Sequence, residues 1–190
     1  MSDLDRALRA LQRGEVVGLP TDTVYGIGVD PWNQAALDRL FELKRRPPDM
    51  AIPILAGDLD GVARLAVMSD DAAEAAARFW PGPLTMVLPR VAGLPEWVGD
   101  PERNTIGVRI PDHPAALALL RTAGPLAVTS ANLSGGPPAL SDREAADVLG
   151  RGVAVYLAGD AAAGAASTVV DLSGAEPVVL RPGPIRWEYE

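Results

Sequence analysis

The sequence predicts an α/β (α+β) fold: a twisted, mostly parallel mixed sheet flanked by helices. Three observations predict it. Short apolar runs recur along the chain as candidate strands, amphipathic stretches with capping residues lie between them, and no internal repeat or low-complexity linker divides the chain. Strands interleaved with helices are the pattern of layered α/β domains. Some consecutive runs have no helix between them, which makes the sheet mixed. A chain of 190 residues, 48% of them hydrophobic, suits one domain with a substantial core.

The elements follow in order. Leu4, Leu8 and Leu11 recur at helical spacing over residues 3–13, Gly14 suits the C-cap, and Val16-Val17-Gly18-Leu19 reads as a buried strand. Asn33 can cap a helix running to Lys44 with Leu37, Leu40 and Phe41 inward, and Pro47-Pro48 prevents its continuation. Residues 52–55 make a short strand. Residues 69–79 form an alanine-rich helix, which Trp80-Pro81-Gly82-Pro83 breaks before a strand over 84–88. Residues 105–110 alternate like a strand, and Asp112-His113-Pro114 opens the next helix with proline in its first turn. Residues 126–129 are strand. Ser141-Asp142-Arg143-Glu144 has the form of a capping box for a helix to Leu149, and residues 153–157, 168–172 and 178–180 complete the strands. The glycine- and alanine-rich residues 159–166 bury little side-chain surface and form the expected mobile loop.

Composition narrows the chemistry. With no cysteine and a single histidine, His113, disulfides, cysteine-ligated zinc and multi-histidine metal sites are excluded. Any metal is a hard ion held by oxygens, arriving with a nucleotide. The formal net charge of −8 repels polyanions and weighs against general RNA binding, while a local basic pocket can still hold phosphates. The first residues lack the basic start and apolar stretch of a signal peptide, and no apolar run approaches membrane-spanning length. A soluble, cytoplasmic protein with no membrane contact is the expectation. Lys44 is the single lysine among 17 basic residues. Either an ammonium is specifically wanted there or the composition simply favours arginine.

Four polar segments sit at strand ends, where open α/β sheets place ligands. Pro20-Thr21-Asp22-Thr23-Val24-Tyr25-Gly26 is dense in hydroxyls, and an ordinary turn accounts for it as well as a ligand loop does. Lys44-Arg45-Arg46-Pro47 clusters cations at a helix end, which the helix dipole favours without a ligand; in an acidic protein it is also a candidate triphosphate site. Thr129-Ser130-Ala131-Asn132-Leu133-Ser134-Gly135-Gly136 can offer backbone N–H groups, hydroxyls and an amide to phosphate or substrate, although it is not a Walker sequence. Ser167-Thr168 precedes a strand and Arg181-Pro182-Gly183 follows the last one. A lone arginine there is more often a surface ion-pair partner.

In this order, and together with Trp80-Pro81-Gly82-Pro83-Leu84-Thr85 and residues 105–113, these segments resemble the threonylcarbamoyl-AMP synthase family over residues 8–184. The chain resembles its short form, with a YrdC-like domain at 1–184 and a C-terminal tail at 185–190. The resemblance implies a nucleotidyltransferase, L-threonylcarbamoyladenylate synthase, that uses L-threonine, bicarbonate and ATP with Mg²⁺ and releases pyrophosphate. The product would serve the t6A37 modification of tRNA, through hand-over to a tRNA threonylcarbamoyl-transferase complex and at most a weak tRNA contact.

It also implies residue roles. Thr23, Arg109, Val128 and Ser167 would hold L-threonine, Val128 by its main chain. Lys44, Arg46, Met50, Thr105, Ser130, Asn132, Pro138 and Arg181 would hold ATP, with Lys44, Arg46, Ser130 and Asn132 catalytic and Tyr25 a wall of the pocket. No side chain is assigned directly to the metal. Where the chain has Met50 many relatives have lysine or asparagine, Leu55 replaces a histidine of some, and Pro138 a serine of others. Met50 offers only backbone or apolar contact. Three other readings use the same residues: a paralogue with another carbamoyl-adenylate substrate, an RNA-binding or ribosome-assembly factor, and a nucleotide or amino-acid sensor without turnover.

Overall fold

Local signals set the first turn of the chain. In the computed structural model, which describes residues 2–45, 51–162 and 164–187, Ser2 caps helix α1 (Asp3–Gln12) through the amide of Asp5, and Asp5 returns the bond to the amide of Ser2. Gly14 takes φ +70° and closes the helix: its N–H donates to Leu11 O and that of Glu15 to Ala10 O, the Schellman pattern. The chain then enters β1 (Val17–Leu19) and turns through residues 20–25 into β2 (Gly26–Val29).

Helix α2 (Gln34–Lys44) is capped by Asn33, and its end is marked by Arg45 in the left-handed region at φ 51°. The Pro47-Pro48 stop expected from the sequence lies outside the described residues. Then come β3 (Ile54–Leu55), α3 (Leu59–Ala63), α4 (Asp70–Phe79), β4 (Leu84–Pro89), β5 (Thr105–Arg109), α5 (Pro114–Ala123), β6 (Leu126–Ser130), α6 (Asp142–Leu149), β7 (Val155–Tyr156), β8 (Thr168–Asp171) and β9 (Val178–Arg181). Ser141 caps α6 as expected, while the second arm of the box differs: Glu144 accepts from the amide of Leu140 rather than that of Ser141.

The nine strands among the described residues join one sheet in the order β7-β1-β2-β6-β3-β5-β4-β8-β9. The mixed sheet with flanking helices is as the sequence predicts, but the balance of pairings is not mostly parallel. Among the described residues five neighbouring pairs are antiparallel and three parallel. The reason lies in the connections: β1 to β2, β4 to β5 and β8 to β9 have no helix between them and fold straight back, and β6 runs antiparallel to both its neighbours.

Two elements were not foreseen. Strand β2 reads Gly-Ile-Gly-Val, and its glycines hide it from any propensity argument. They are there because the neighbouring β6 crowds them: a Cβ on Gly26 would lie 2.8 Å from Val128 Cγ1, and one on Gly28 2.9 Å from Val128 Cγ2. Helix α3 is a five-residue turn of helix capped by Asp58, too short to show a period.

The two faces of the sheet are covered unequally. On one, α2, α4 and α6 supply Leu37, Leu40, Ala72, Ala76, Ala145 and Leu149 to a core that includes Ile27, Ile54, Met86, Val108, Ala127 and Val170. On the other, α1 and α5 pack together and bury Ala7, Leu11, Leu119 and Leu120 against Val17, Leu19, Leu55 and Val128. That second layer covers the β1 side of the sheet and leaves the β5-β4-β8 side open. No helix among the described residues is long and apolar enough to cross a membrane.

Candidate active site

Side chains alternate across a strand, so one face of β4, β5 and β8 is core and the other is free to bind. Leu84, Met86, Leu88, Ile106, Val108 and Val170 point into the larger core. Between them Thr85, Val87, Thr105, Gly107, Arg109 and Val169 line a cavity of about 410 Å³, which Leu55, Val128 and Ser130 close on the β3 and β6 side. That volume is in the range of small-molecule sites. Asp100 and Arg103 stand at its edge, and Leu180 and Arg181 complete it from the edge strand. Opposite Val169 and Val170 the register of β9 shifts, so Leu180 is an extra residue and joins Arg181 on the cavity side.

Arg109 is the best-anchored cation of the cavity. It is 5% exposed, donates from Nε to Gly82 O (2.9 Å) and from Nη1 to Thr23 Oγ1 (2.9 Å), and pairs through Nη2 with Asp22 Oδ1. The same carboxylate oxygen accepts from the amide of Asp112 (3.0 Å), tying the 20–25 turn to the start of α5. Burial pushes the Arg109 guanidinium below its ordinary value; Asp22 opposes this and the charge of Arg181 adds to it. A guanidinium so lowered is still a cation at neutral pH, and its remaining N–H groups can take a planar carboxylate in bidentate fashion.

The 20–25 turn is self-supporting. Thr21 Oγ1 donates to Val24 O (2.7 Å), lies 3.0 Å from Thr23 Oγ1 and accepts from the amide of Thr23. Gly164 of the glycine- and alanine-rich segment donates its N–H to Thr23 O (2.8 Å), which holds that part of the segment against the turn. Across the cavity, Arg181 donates from Nε and Nη2 to Ser167 O and from Nη2 to Ser167 Oγ, and Ser167 Oγ lies 2.8 Å from Thr85 Oγ1. Burial lowers the Arg181 guanidinium as well.

The sequence-selected residues divide into four groups. Thr23, Thr105, Arg109, Val128, Ser130, Ser167 and Arg181 all line the cavity. Lys44 and Asn132 stand behind it. The Lys44 ammonium, 4% exposed, donates to Ser130 O (2.6 Å), Asn132 O (2.9 Å) and Asn132 Oδ1 (2.5 Å), while Ser130 Oγ donates to Asn132 Oδ1 (2.7 Å). The sole lysine thus gathers the loop after β6 around a point charge that a planar guanidinium would not match. Pro138 lies further along that loop, outside the cavity lining. Arg46 and Met50 lie outside the described residues.

Tyr25 is a correction. Fully buried, it points away from the cavity and donates to Leu157 O (2.7 Å). Sequence reasoning missed Thr21, Thr85, Asp100, Arg103 and Leu180. For Thr85 a signal was present, since it is the polar residue of an otherwise apolar strand; for Leu180, which owes its direction to a bulge, there was none.

Among the described residues no group of three or more histidines or carboxylates could form a metal cage. The oxygens near Lys44 are neutral and already occupied, so this donor set suits an ion that arrives with phosphates and keeps much of its water.

The family model Sua5/YciO/YrdC, described as telomere recombination, matches residues 9–183. A Mycobacterium tuberculosis protein is 45% identical over 184 residues, covering 96% of this chain and 84% of its own length. The threonylcarbamoyl-AMP synthase of Bacillus subtilis is 38% identical over 195 residues, covering 96% of this chain and 54% of that protein. Among solved structures, Pyrococcus abyssi Sua5 complexed with L-threonine superposes with a TM-score of 0.90 at 35% identity, covering 96% of this chain and 55% of that one. The chain therefore spans about half the length of the last two.

Proposed function

The chain belongs to the Sua5/YciO/YrdC family, and from that membership and the cavity between Arg109 and Arg181 we propose that it is an L-threonylcarbamoyladenylate synthase, a nucleotidyltransferase. The observation that carries the reading is the anchored guanidinium of Arg109 beside Thr23, in a cavity whose opposite wall is Ser167 and Arg181. A small amino acid needs a planar cation for its carboxylate and short polar groups for the rest.

The chemistry requires positioning more than a nucleophile. The threonine nitrogen bonds to the carbon of bicarbonate, with loss of water, to give a carbamate. A carbamate oxygen then bonds to the α-phosphorus of ATP, and pyrophosphate leaves with the electrons of the broken P–O bond. Arg109, Thr23, the main chain of Val128 and Ser167 hold threonine. Thr105, Ser130 and Arg181 face the nucleotide, and Lys44 fixes Ser130 and Asn132 in place beside it. Arg46, Met50 and Pro138 complete the ATP contacts in this proposal. Bound together with ATP, Mg²⁺ would supply charge neutralisation at the phosphates. Held reactants and preset cations account for catalysis without a side-chain nucleophile. A cytoplasmic location and hand-over of the product to a tRNA threonylcarbamoyl-transferase complex follow from the same reading, with any tRNA contact weak because the net charge is −8.

The test is direct. Purified protein with ATP, Mg²⁺, bicarbonate and labelled threonine should release pyrophosphate and form a threonine-containing adenylate, dependent on both threonine and bicarbonate. Loss of product in Arg46→Ala and Arg109→Ala places the site. Binding of ATP and threonine without pyrophosphate release rejects the enzyme and leaves a sensor.

A further inference from the structure

The hydroxyls of Thr85 and Ser167 carry one more proton than the described residues accept. Their oxygens are 2.8 Å apart, both residues are buried, and both line the cavity. Apart from that contact, and among the described residues, Ser167 Oγ only accepts, from Arg181 Nη2 at 3.1 Å, and Thr85 Oγ1 has no other partner. A hydroxyl has one proton to donate and two lone pairs to accept with. The pair therefore holds two protons, and the single contact between them uses one. The other has no acceptor among the described residues, and the cavity is the space both side chains share.

Arg181 fills one lone pair of Ser167 Oγ, and either hydroxyl can donate across the contact. When Ser167 Oγ accepts from both Arg181 and Thr85, its two lone pairs are filled and its own proton is left for the cavity. In the opposite arrangement Ser167 donates to Thr85 and the Thr85 proton is the one left over. Accepting from a guanidinium also polarises the Ser167 O–H and makes it a better donor, as in any chain of hydrogen bonds. The backbone holds the pair in place: the amide of Thr168 donates to Pro83 O at 3.0 Å, and Thr85 pairs with Val169 in the parallel register of β4 and β8.

We infer that Thr85 is a positioning residue for substrate: its hydroxyl donates to Ser167 Oγ and so turns the Ser167 O–H into the cavity, toward an anionic oxygen of the bound amino acid. The inference rests on the proposed function and extends it to a residue that touches substrate only through Ser167. Arg109 and Arg181 make that region positive, which suits an anionic acceptor rather than a second donor.

The test is a double-mutant cycle read by calorimetric binding of L-threonine and, separately, of ATP. Thr85→Val keeps the shape and removes the donor, and should weaken threonine binding about 10-fold while leaving ATP affinity and melting temperature nearly unchanged. Thr85→Ser returns the hydroxyl and should restore threonine binding. In a Ser167→Ala background Thr85→Val should add nothing, because its only route to substrate is gone. Thr85→Cys, a weak donor of similar bulk, should weaken threonine binding as well and serves if the valine variant does not fold. Wild-type threonine affinity in Thr85→Val, an equal loss of ATP affinity, or a loss of the same size in the Ser167→Ala background overturns the inference. Wild-type protein that turns over while Thr85→Val binds normally refutes only this inference. Wild-type protein that binds threonine without releasing pyrophosphate refutes only the enzyme reading, and wild-type protein that binds no threonine refutes both.

Discussion

Arg109 and Asp22 form a buried ion pair in which one carboxylate oxygen, Asp22 Oδ1, takes both the guanidinium and the amide of Asp112, while Oδ2 is buried with no hydrogen-bond partner among the described residues. A pair built for stability would satisfy both oxygens. Removing Asp22 strands the Arg109 charge, 5% exposed, without its counter-ion. Asp22→Ala should therefore lower unfolding free energy by roughly 3–5 kcal/mol in urea titration. Arg109→Lys keeps the charge but cannot reach Gly82, Thr23 and a carboxylate together, so it should raise the KM for threonine roughly 10- to 100-fold. A lysine variant with unchanged KM would remove Arg109 from the substrate.

Lys44 gives a prediction about the loop after β6. Its ammonium draws together Ser130 O, Asn132 O and Asn132 Oδ1, all pulled from water. Lys44→Met removes one donor from each of these oxygens, leaving Asn132 Oδ1 to Ser130 Oγ and Ser130 O to the Asn132 amide, and should cost roughly 1–3 kcal/mol. Lys44→Arg should not recover it, because a flat fork cannot converge on three oxygens around one point. Amide exchange at Ser134, whose N–H donates to Lys44 O at 3.0 Å, should rise in both variants. Wild-type melting and exchange in Lys44→Met would show that the loop holds itself.

Where the sequence was informative and where it was not follows from how each residue gets its position. Helix ends were legible because their signals are local: Asn33, Ser69 and Ser141 each cap the helix that follows. The family pattern put Arg109 and Thr23 together, and both line the cavity, while Thr85 is the one polar residue of β4. The parallel or antiparallel sense of each pair was not legible, since β6 enters between β2 and β3 from far along the chain. Tyr25 was misplaced because a residue inside a site motif can still turn its ring to the core, as its bond to Leu157 O requires. Nor could the sequence show Leu180, whose direction depends on a bulge against β8.

Strand β2 yields a packing prediction. Gly28 faces Val128 so closely that an added methyl would lie 2.9 Å from Val128 Cγ2 and 3.2 Å from Ala127 O. The side-chain contact can be relieved by trimming the valine, and the backbone contact needs a shift of a few tenths of an ångström. Gly28→Ala alone should destabilise by about 1–3 kcal/mol, the usual cost of overpacking. Combined with Val128→Ala it should cost less than the two changes separately, because the clash they share disappears. Strict additivity in urea titrations of the four proteins would locate the strain in the backbone instead.

Tyr25 ties alkaline stability to the core. Burial pushes its hydroxyl far above its ordinary value, and the negative charges of Asp142 and Tyr156 act in the same direction. A raised value in the folded state means that the fold favours the protonated phenol. Its contribution is whole below the unfolded value of about 10 and is lost as pH rises beyond it, because the unfolded chain ionises first. Tyr25→Phe removes that dependence together with the bond to Leu157 O. At neutral pH the variant should be less stable by about 1 kcal/mol. Above about pH 10 wild type should lose stability faster than the variant, so the two unfolding curves converge and then cross. Tyr156, raised by burial to a lesser depth, leaves a residual slope in the variant. Parallel curves from neutral pH to pH 11 would mean that the Tyr25 hydroxyl reaches water in the folded protein.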